Sequence, residues 1–247
     1  MRTNFMTRLH LRLPTPMKAL SRAAADALKS HRKPTWSQEG EDRIIWELLK
    51  NRRRGFYVDV GAHHPKRYSN TYLLYRAGWH GLNIEPDPDL IRAFGIYRRR
   101  DFTIQAGVGR TEGGLGLHRF ADPALNTFDP QIAELRKAEG WLWRDTINVR
   151  ISPLAELLRS RSVRQVDFLN VDTEGYDHEV LLSNDWQQFR PAVVAVEIPT
   201  RSALDTALSH SHQLMTDQDY VLIAKTLRTA IYQAQTHDQE LPVAGAQ

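Results

Sequence analysis

The chain has no cysteine. That excludes disulfides, thiolate zinc sites and a cysteine nucleophile, and it suits a reducing cytoplasm, the expected location. No apolar run is long enough to cross a membrane, so no membrane span is expected. Charge of one sign is not in excess either: 33 Lys and Arg stand against 29 Asp and Glu, a net +4. Much of that excess lies in Arg52-Arg53-Arg54 and Arg98-Arg99-Arg100, which read as solvated surface with some room for an anionic partner. No aromatic-interleaved basic surface marks a nucleic-acid binder, and none is expected. The Gly-x-Gly-x-x-Gly fingerprint is also missing, because Gly61 is followed by Ala62, His63, His64 and Pro65. A diphosphate needs close backbone approach and helix amides at such a turn. A bulky His-His-Pro corner suits that poorly, which disfavours a nicotinamide dehydrogenase.

What is present is a chain of 247 residues, 41% hydrophobic, enough for one α/β domain with a short extension. Residues 1–35 are expected to form an arm with a helix over Met17–Lys33, able to pack on the domain or on a second copy of the chain. Met1–Ser21 carries arginines and no acid but lacks the apolar core of a secretory signal. Residues 36–235 form the expected domain, and 236–247 a disordered tail.

Apolar runs alternate with helix-compatible stretches along that domain. Phe56-Tyr57-Val58-Asp59-Val60, Leu82-Asn83-Ile84, Phe102-Thr103-Ile104-Gln105, Phe168-Leu169-Asn170-Val171 and Val193-Val194-Ala195-Val196 read as buried strands. Helices are expected after Gly40, after Ser69 or Asn70 as cap, over Leu90–Arg99, after Ser152 as cap, over Glu179–Leu182 and over Ser202–Met215. Thr127–Trp143 reads as a helical insertion, and Tyr220–Lys225 with Thr229–Tyr232 as a closing pair of strands. The alternation predicts a doubly wound, mostly parallel sheet with right-handed crossovers.

Acids recur where strands end: Asp59, Glu85, Asp172 and Glu197. Core packing does not require that, but a shared cleft at the carboxyl edge does. Glu85 follows Gly61 by about 24 residues, near the spacing at which an acid meets ribose hydroxyls in dinucleotide folds. With no phosphate cradle, the first half-sheet reads as a site for a nucleoside without phosphates, S-adenosylmethionine being the common one. Asp172-Thr173-Glu174-Gly175 stands where donor and acceptor should meet.

Three roles stay open there. Asp172, Glu174 and Glu197 supply oxygen ligands for a divalent cation such as Mg²⁺ or Mn²⁺. Alternatively His64, or less readily His63, takes a hydroxyl proton as general base near its ordinary pKa of about 6.5. In the third, these groups only bond the methionine end of the cofactor or loop amides. His63, Asn70 and Glu197 are the candidate acceptor contacts. Asn126-Thr127 opens the insertion and helps to shape the acceptor site, and Trp141 and Trp143 read as lid core or as a sugar-stacking platform.

Taken in order, the phrases Ser37-Gln38-Glu39-Gly40-Glu41-Asp42, Gly55 through Ala62, Ser69-Asn70-Thr71, Gly78 through Pro86, Asp167 through Tyr176 and Pro191 through Glu197 resemble the FkbM-type S-adenosylmethionine-dependent methyltransferases. The resemblance covers roughly Trp36 to Tyr232. It implies a class I methyltransferase fold, a Rossmann-like seven-stranded sheet with an antiparallel last strand. It also implies O-methylation of sugars, glycans or secondary metabolites. Carried across, Asp59, Gly61 and Ala62 line the methionine end, and Glu85 with Pro86 holds the ribose. Gln105 and Ala106 flank the adenine, while Asp172 and Glu174 face the reaction centre. The expected function is an O-methyltransferase with a small-molecule or glycan hydroxyl acceptor. Its rivals are the same fold acting on RNA or protein, and a non-catalytic cofactor-binding subunit.

Overall fold

The computed structural model describes residues 33–200 and 202–235. The expected arm helix and tail lie outside them, apart from Lys33. The chain divides into two units, Met1–Pro34 and Thr35–Gln247. The second carries both sheets and the helices that cover them.

A period of two places alternate residues of a strand on opposite faces of a sheet. In β1 (Phe56–Val60), Val58 and Val60 enter one core cluster and Tyr57 the other. The neighbours keep that register: Val58 pairs with Leu82 of β2 (His80–Glu85) and with Leu169 of β7 (Phe168–Val171). Both faces are therefore apolar and buried, as parallel strands demand. On one face Ile45 and Leu49 of α1 (Glu41–Leu49) pack with Leu74 of α2 (Tyr72–Arg76) and Trp79. On the other, Leu154 and Leu158 of α5 (Leu154–Ser160) and Val180 and Leu181 of α6 (Asp177–Leu182) fill the core.

The sheet runs β3-β2-β1-β7-β8-β10-β9. Strands β3 (Phe102–Gln105) and β8 (Val193–Glu197) pair in parallel with their neighbours β2 and β7, and β9 is Tyr220–Lys225. Strand β10 (Thr229–Ala234), last in the chain, is antiparallel to both β8 and β9. This is the class I, Rossmann-like methyltransferase architecture. Because β1, β2, β7 and β8 are parallel, Gly61, Glu85, Asp172 and Glu197 come to one edge. The order steps outward from β1 in both directions, so that edge has a crevice at the switch point.

The stretch between β3 and α5 builds a second sheet, β4-β6-β5. Its strands are β4 (Gly107–Val108), β5 (Gly113–Phe120) and β6 (Trp143–Ser152). Strands β5 and β6 form an antiparallel pair. The insertion is less helical than expected: a 3₁₀ turn at Pro123–Leu125 precedes α4 (Pro130–Ala138), and Trp143 already belongs to β6. Asp129 starts α4 by accepting from the Gln131 and Ile132 amides.

Two other expectations are corrected. Ser152 stays in β6, and the Leu154 amide donates instead to Ser183 Oγ. The single helix expected over 202–215 is two, α7 (Ala203–Leu208) and α8 (His210–Asp217). Ser209 between them is extended and caps the second by accepting from the His212 amide. Helix α3 spans Pro88–Tyr97, capped by Asp87. Among the described residues no helix is long and apolar enough to cross a membrane.

Candidate active site

The turn after β1 is a close approach of two strand ends. Gly61 sits at φ +74, and a Cβ there would lie 1.8 Å from the Asp172 carbonyl oxygen. Only glycine fits. The tight turn lets the Gly61 amide reach Ile84 O at 3.0 Å, while the Asp172 amide reaches Val60 O at 3.0 Å. The three strand ends thus border one cleft that opens to solvent.

Of the expected site residues, Asp59, Gly61, Ala62, His63, Glu85, Pro86, Ala106, Asp172 and Glu174 line this cleft. Gln105, His64, Asn70 and Glu197 do not. Gln105 is exposed at the end of β3, and the residue after the strand, Ala106, lines the cleft instead. Asn70 is buried and donates to Asn170 Oδ1 at 2.9 Å. His64 Nδ1 accepts the amides of Lys66 and Arg67 at 3.0 and 2.9 Å, which makes it a cap for its own loop. Glu197 ends β8 and brings a carboxylate oxygen within 4.8 Å of one on Asp172.

Of the two histidines, His63 is the one that lines the cleft. Its backbone is left-handed, φ +49. Both ring nitrogens are buried without a partner among the described residues. Burial, then nearby Arg67, lowers its pKa to about 4, so the ring is neutral at pH 7. Its ring lies parallel to that of Tyr68, 6.4 Å away.

Glu85 is held in place by two amides. Oε2 accepts from His63 N at 2.7 Å and Oε1 from Asp87 N at 2.8 Å. Each carboxylate oxygen keeps a further acceptor position. Burial raises its pKa to about 7, opposed by those two amides. Asp59 is spent differently: Thr71 Oγ1 donates to one oxygen at 2.6 Å and Asn170 Nδ2 to the other at 2.9 Å. The register that sets Asp59 beside Asn170 explains the second bond.

At the ends of β7 and β8, Asp172, Glu174 and Glu197 each offer a carboxylate oxygen within 4.8 Å of the others. Burial and mutual repulsion push Asp172 well up, and Glu197 to about 10. The Asp172–Glu197 pair therefore keeps a proton at neutral pH. Glu174, at φ +54, is engaged by Arg136 of α4. Asp177 ties down the loop itself by accepting from the Thr173 and Gly175 amides at 2.9 and 3.1 Å.

Several cleft residues escaped the sequence reading. Leu117, Pro123, Ala124 and Phe128 come from the inserted sheet and its loops, where no strand-end acid flags them. Asn126, expected to shape the site, does line the cleft and is fixed by Asp87 Oδ2 at 2.9 Å. The expectation of solvated arginines fails at Arg98, which is 1% exposed and donates to Pro65 O, Tyr57 Oη, Ser69 Oγ and Thr71 Oγ1. It holds the loop that carries the two histidines.

No curated protein matches the chain. Among solved structures, a methyltransferase from Geobacter sulfurreducens shares 11% identity at a TM-score of 0.44, covering 95% of this chain and 98% of its own. The Burkholderia thailandensis 1,6-didemethyltoxoflavin-N1-methyltransferase, with bound 1,6-didemethyltoxoflavin and S-adenosylhomocysteine, shares 9% at 0.40, covering 90% and 92%. Aeropyrum pernix fibrillarin with natively bound S-adenosyl-L-methionine shares 13% at 0.40, covering 86% and 73%. These three are distant likenesses. The sequence itself is more telling: residues 59–222, from the acid of β1 into β9, match the methyltransferase FkbM domain. The chain belongs to the FkbM family of S-adenosylmethionine-dependent methyltransferases.

Proposed function

We propose that the protein transfers a methyl group from S-adenosylmethionine to a hydroxyl of a carbohydrate, glycan or secondary-metabolite acceptor. The observation that carries this reading is the polarity of the cleft. At one end Glu85 is aimed by two amides with acceptor positions to spare; at the other a proton-holding carboxyl pair and unpartnered polar atoms await a partner. The residues fit the cofactor. Glu85 accepts from the ribose hydroxyls, Ile84, Ala106 and Val108 flank the base, and Gly61 with Asp172 borders the amino-acid end. When bound, the cofactor supplies an electrophilic methyl on its sulfonium.

The remaining work falls to the chain's own groups. Holding the acceptor oxygen in line is worth most, since proximity and orientation can supply several kcal/mol, up to about 7–11. We assign the hydroxyl's hydrogen bond to His63 rather than His64, because the Nδ1 of His64 already accepts two amides and His63 has no partner among the described residues. The neutral His63 ring donates its N–H to the acceptor oxygen, and the hydroxyl proton passes to the one carboxylate that the singly protonated Asp172–Glu197 pair still offers, which leaves that pair doubly protonated as the oxygen is methylated. Asn70 then acts at one remove, through Asn170 and Asp59.

A second reading has the three carboxylates holding Mg²⁺ or Mn²⁺, which their spacing supports. One feature weighs against it: Glu174 is already paired with Arg136. The lack of cysteine supports a reducing compartment such as the cytoplasm.

The experiment is a transfer assay with methyl-labelled cofactor against nucleotide sugars, free glycans and RNA, with excess chelator or added Mg²⁺. Label on a saccharide hydroxyl, retained in chelator, is expected. Label on RNA alone would overturn the acceptor class. Activity abolished by chelator and restored by Mg²⁺ would replace the proton reading with the cation one.

A further inference from the structure

Helix α4 ends in a turn of defined shape. Gly140, at φ +90, donates to Lys137 O, and Trp141 N donates to Arg136 O, both at 3.0 Å. That pair of bonds is the Schellman closure of a helix. Ala121 N then donates to Leu142 O at 2.8 Å, which locks the following residues to the end of β5. The result is a fixed ridge that faces solvent. Leu135, Trp141, Leu142 and Trp143 are 63%, 49%, 71% and 43% exposed, so the expectation of lid core fails for both tryptophans. Large apolar side chains exposed at the end of α4 and along the turn that follows it are a contact surface in search of a partner.

Helix α4, which carries the ridge, is tied to the acceptor end of the cleft. Arg136, one residue from Leu135, donates to Leu125 O at 2.6 Å and engages the Glu174 carboxylate. Thr127 Oγ1 donates to Glu174 O at 2.8 Å. Ile132 of the same helix lies so close over Gly175 that a Cβ there would meet its Cδ1 at 2.2 Å.

The charges around the ridge identify the partner's chemistry. Glu134 pairs with Lys137, Asp145 with Arg119, and Asp89 with both Arg119 and Arg144. Glu139 accepts from the Trp141 indole, and Lys137 stands over the Trp143 ring at 4.9 Å. Acids and bases alternate and compensate one another. An anionic bilayer or a nucleic acid wants a surface of one positive sign. A neutral ring with an apolar face and a hydroxylated rim suits what is here: exposed indoles, one bonded at its edge to Glu139 and the other with Lys137 over a single face.

We propose that this ridge docks a neutral saccharide chain and presents its reacting unit to the cleft. The proposal rests on the glycan reading above and sharpens it. The ridge residues do not line the cleft, so an acceptor that touches both is longer than the unit it offers for methylation. An oligosaccharide or glycan end then fits better than a free monosaccharide.

The test compares the full chain with its Trp141→Ala/Trp143→Ala double variant. Calorimetry measures binding of neutral oligosaccharides from monosaccharide to hexasaccharide, with S-adenosylhomocysteine affinity as the control for folding. Affinity should rise with chain length in the natural protein. The double variant should lose at least about tenfold on the longer saccharides and keep its S-adenosylhomocysteine affinity. If both proteins bind saccharides equally, with no dependence on length, the ridge has no such role and the glycan reading survives. If neither binds or methylates any saccharide while S-adenosylhomocysteine still binds, the glycan reading falls and the ridge proposal with it. Two other results also overturn the proposal: binding to phosphatidylglycerol vesicles that the double variant loses, and a natural dimer that the double variant turns into a monomer.

Discussion

Glu85 shows how one side chain can be fixed and still available. Two amides set its orientation, and burial holds its pKa near 7. A ribose hydroxyl needs an acceptor, and the ionised carboxylate offers more of them than the acid form. Cofactor affinity should therefore increase from pH 6 to pH 8 as Glu85 loses its proton. The Glu85→Gln variant should bind about 1.5–3 kcal/mol more weakly at pH 8 and show no such rise. Calorimetry across that range checks both, and an unchanged affinity in the variant removes the ribose role. The two histidines separate at the same scale. His63→Ala should lower kcat by about 10²-fold or more with cofactor affinity within about threefold, as expected for a group that orients the reacting hydroxyl. His64→Ala should leave kcat near normal and cost about 1 kcal/mol of stability, the worth of a lost loop cap. Stopped-time methyl transfer and urea denaturation distinguish the two, and the reverse pattern would restore His64 as the base.

At the scale of elements, the loop from Gly61 to Thr71 is held from below by the end of α3. The guanidinium of Arg98 spans Pro65, Ser69 and Thr71, and its Nη1 also meets Tyr57 Oη and lies 3.5 Å from Asp101. Tyr57 Oη in turn donates to Asp101 at 2.6 Å. Removing the cation strands a buried carboxylate and several hydroxyls. The Arg98→Met variant should lose about 3–5 kcal/mol in urea unfolding. Arg99→Met, one residue on and exposed, should change stability by less than about 0.5 kcal/mol. Arg98→Lys should not rescue, because a single ammonium cannot reach partners on so many sides. Equal effects at 98 and 99 would refute the clamp.

For the whole molecule, a cleft built from buried acids makes stability depend on pH. Glu197 is raised from 4.5 to about 10, chiefly by burial and then by Asp172. The folded state thus keeps a proton that the unfolded chain has already released, and this contribution is complete below about pH 4.5 and lost as pH rises toward 10. His63 works in the opposite sense. Its pKa falls to about 4, so its contribution is present above about 6.5 and lost as pH drops through 4. The melting temperature should decline between pH 7 and pH 10. Glu197→Gln, neutral at every pH, should flatten that decline. A slope as steep as that of the natural chain would mean that other groups carry it.

The order of elements, the parallel core strands and the acids at their ends were legible because each is a local pattern. Val58-Asp59-Val60-Gly61 shows its strand and its turn in consecutive residues, and Glu85 shows its own by spacing. That much the sequence determined by itself: a mostly parallel α/β sheet and a cleft at its carboxyl edge, lined by the strand-end residues Asp59, Glu85 and Asp172. Three things were left to the tertiary structure. The choice between His63 and His64 depends on which ring the loop turns inward, and a left-handed residue at 63 decides it. Arg98 reads like its neighbours Arg99 and Arg100 until α3 docks on the sheet and buries it. The inserted hairpin brings Asn126 and Phe128 to the cleft and turns Trp141 and Trp143 to solvent, although nothing periodic in the sequence separates those two pairs. Burial and long-range contact decide all three, and they arise only when distant segments meet.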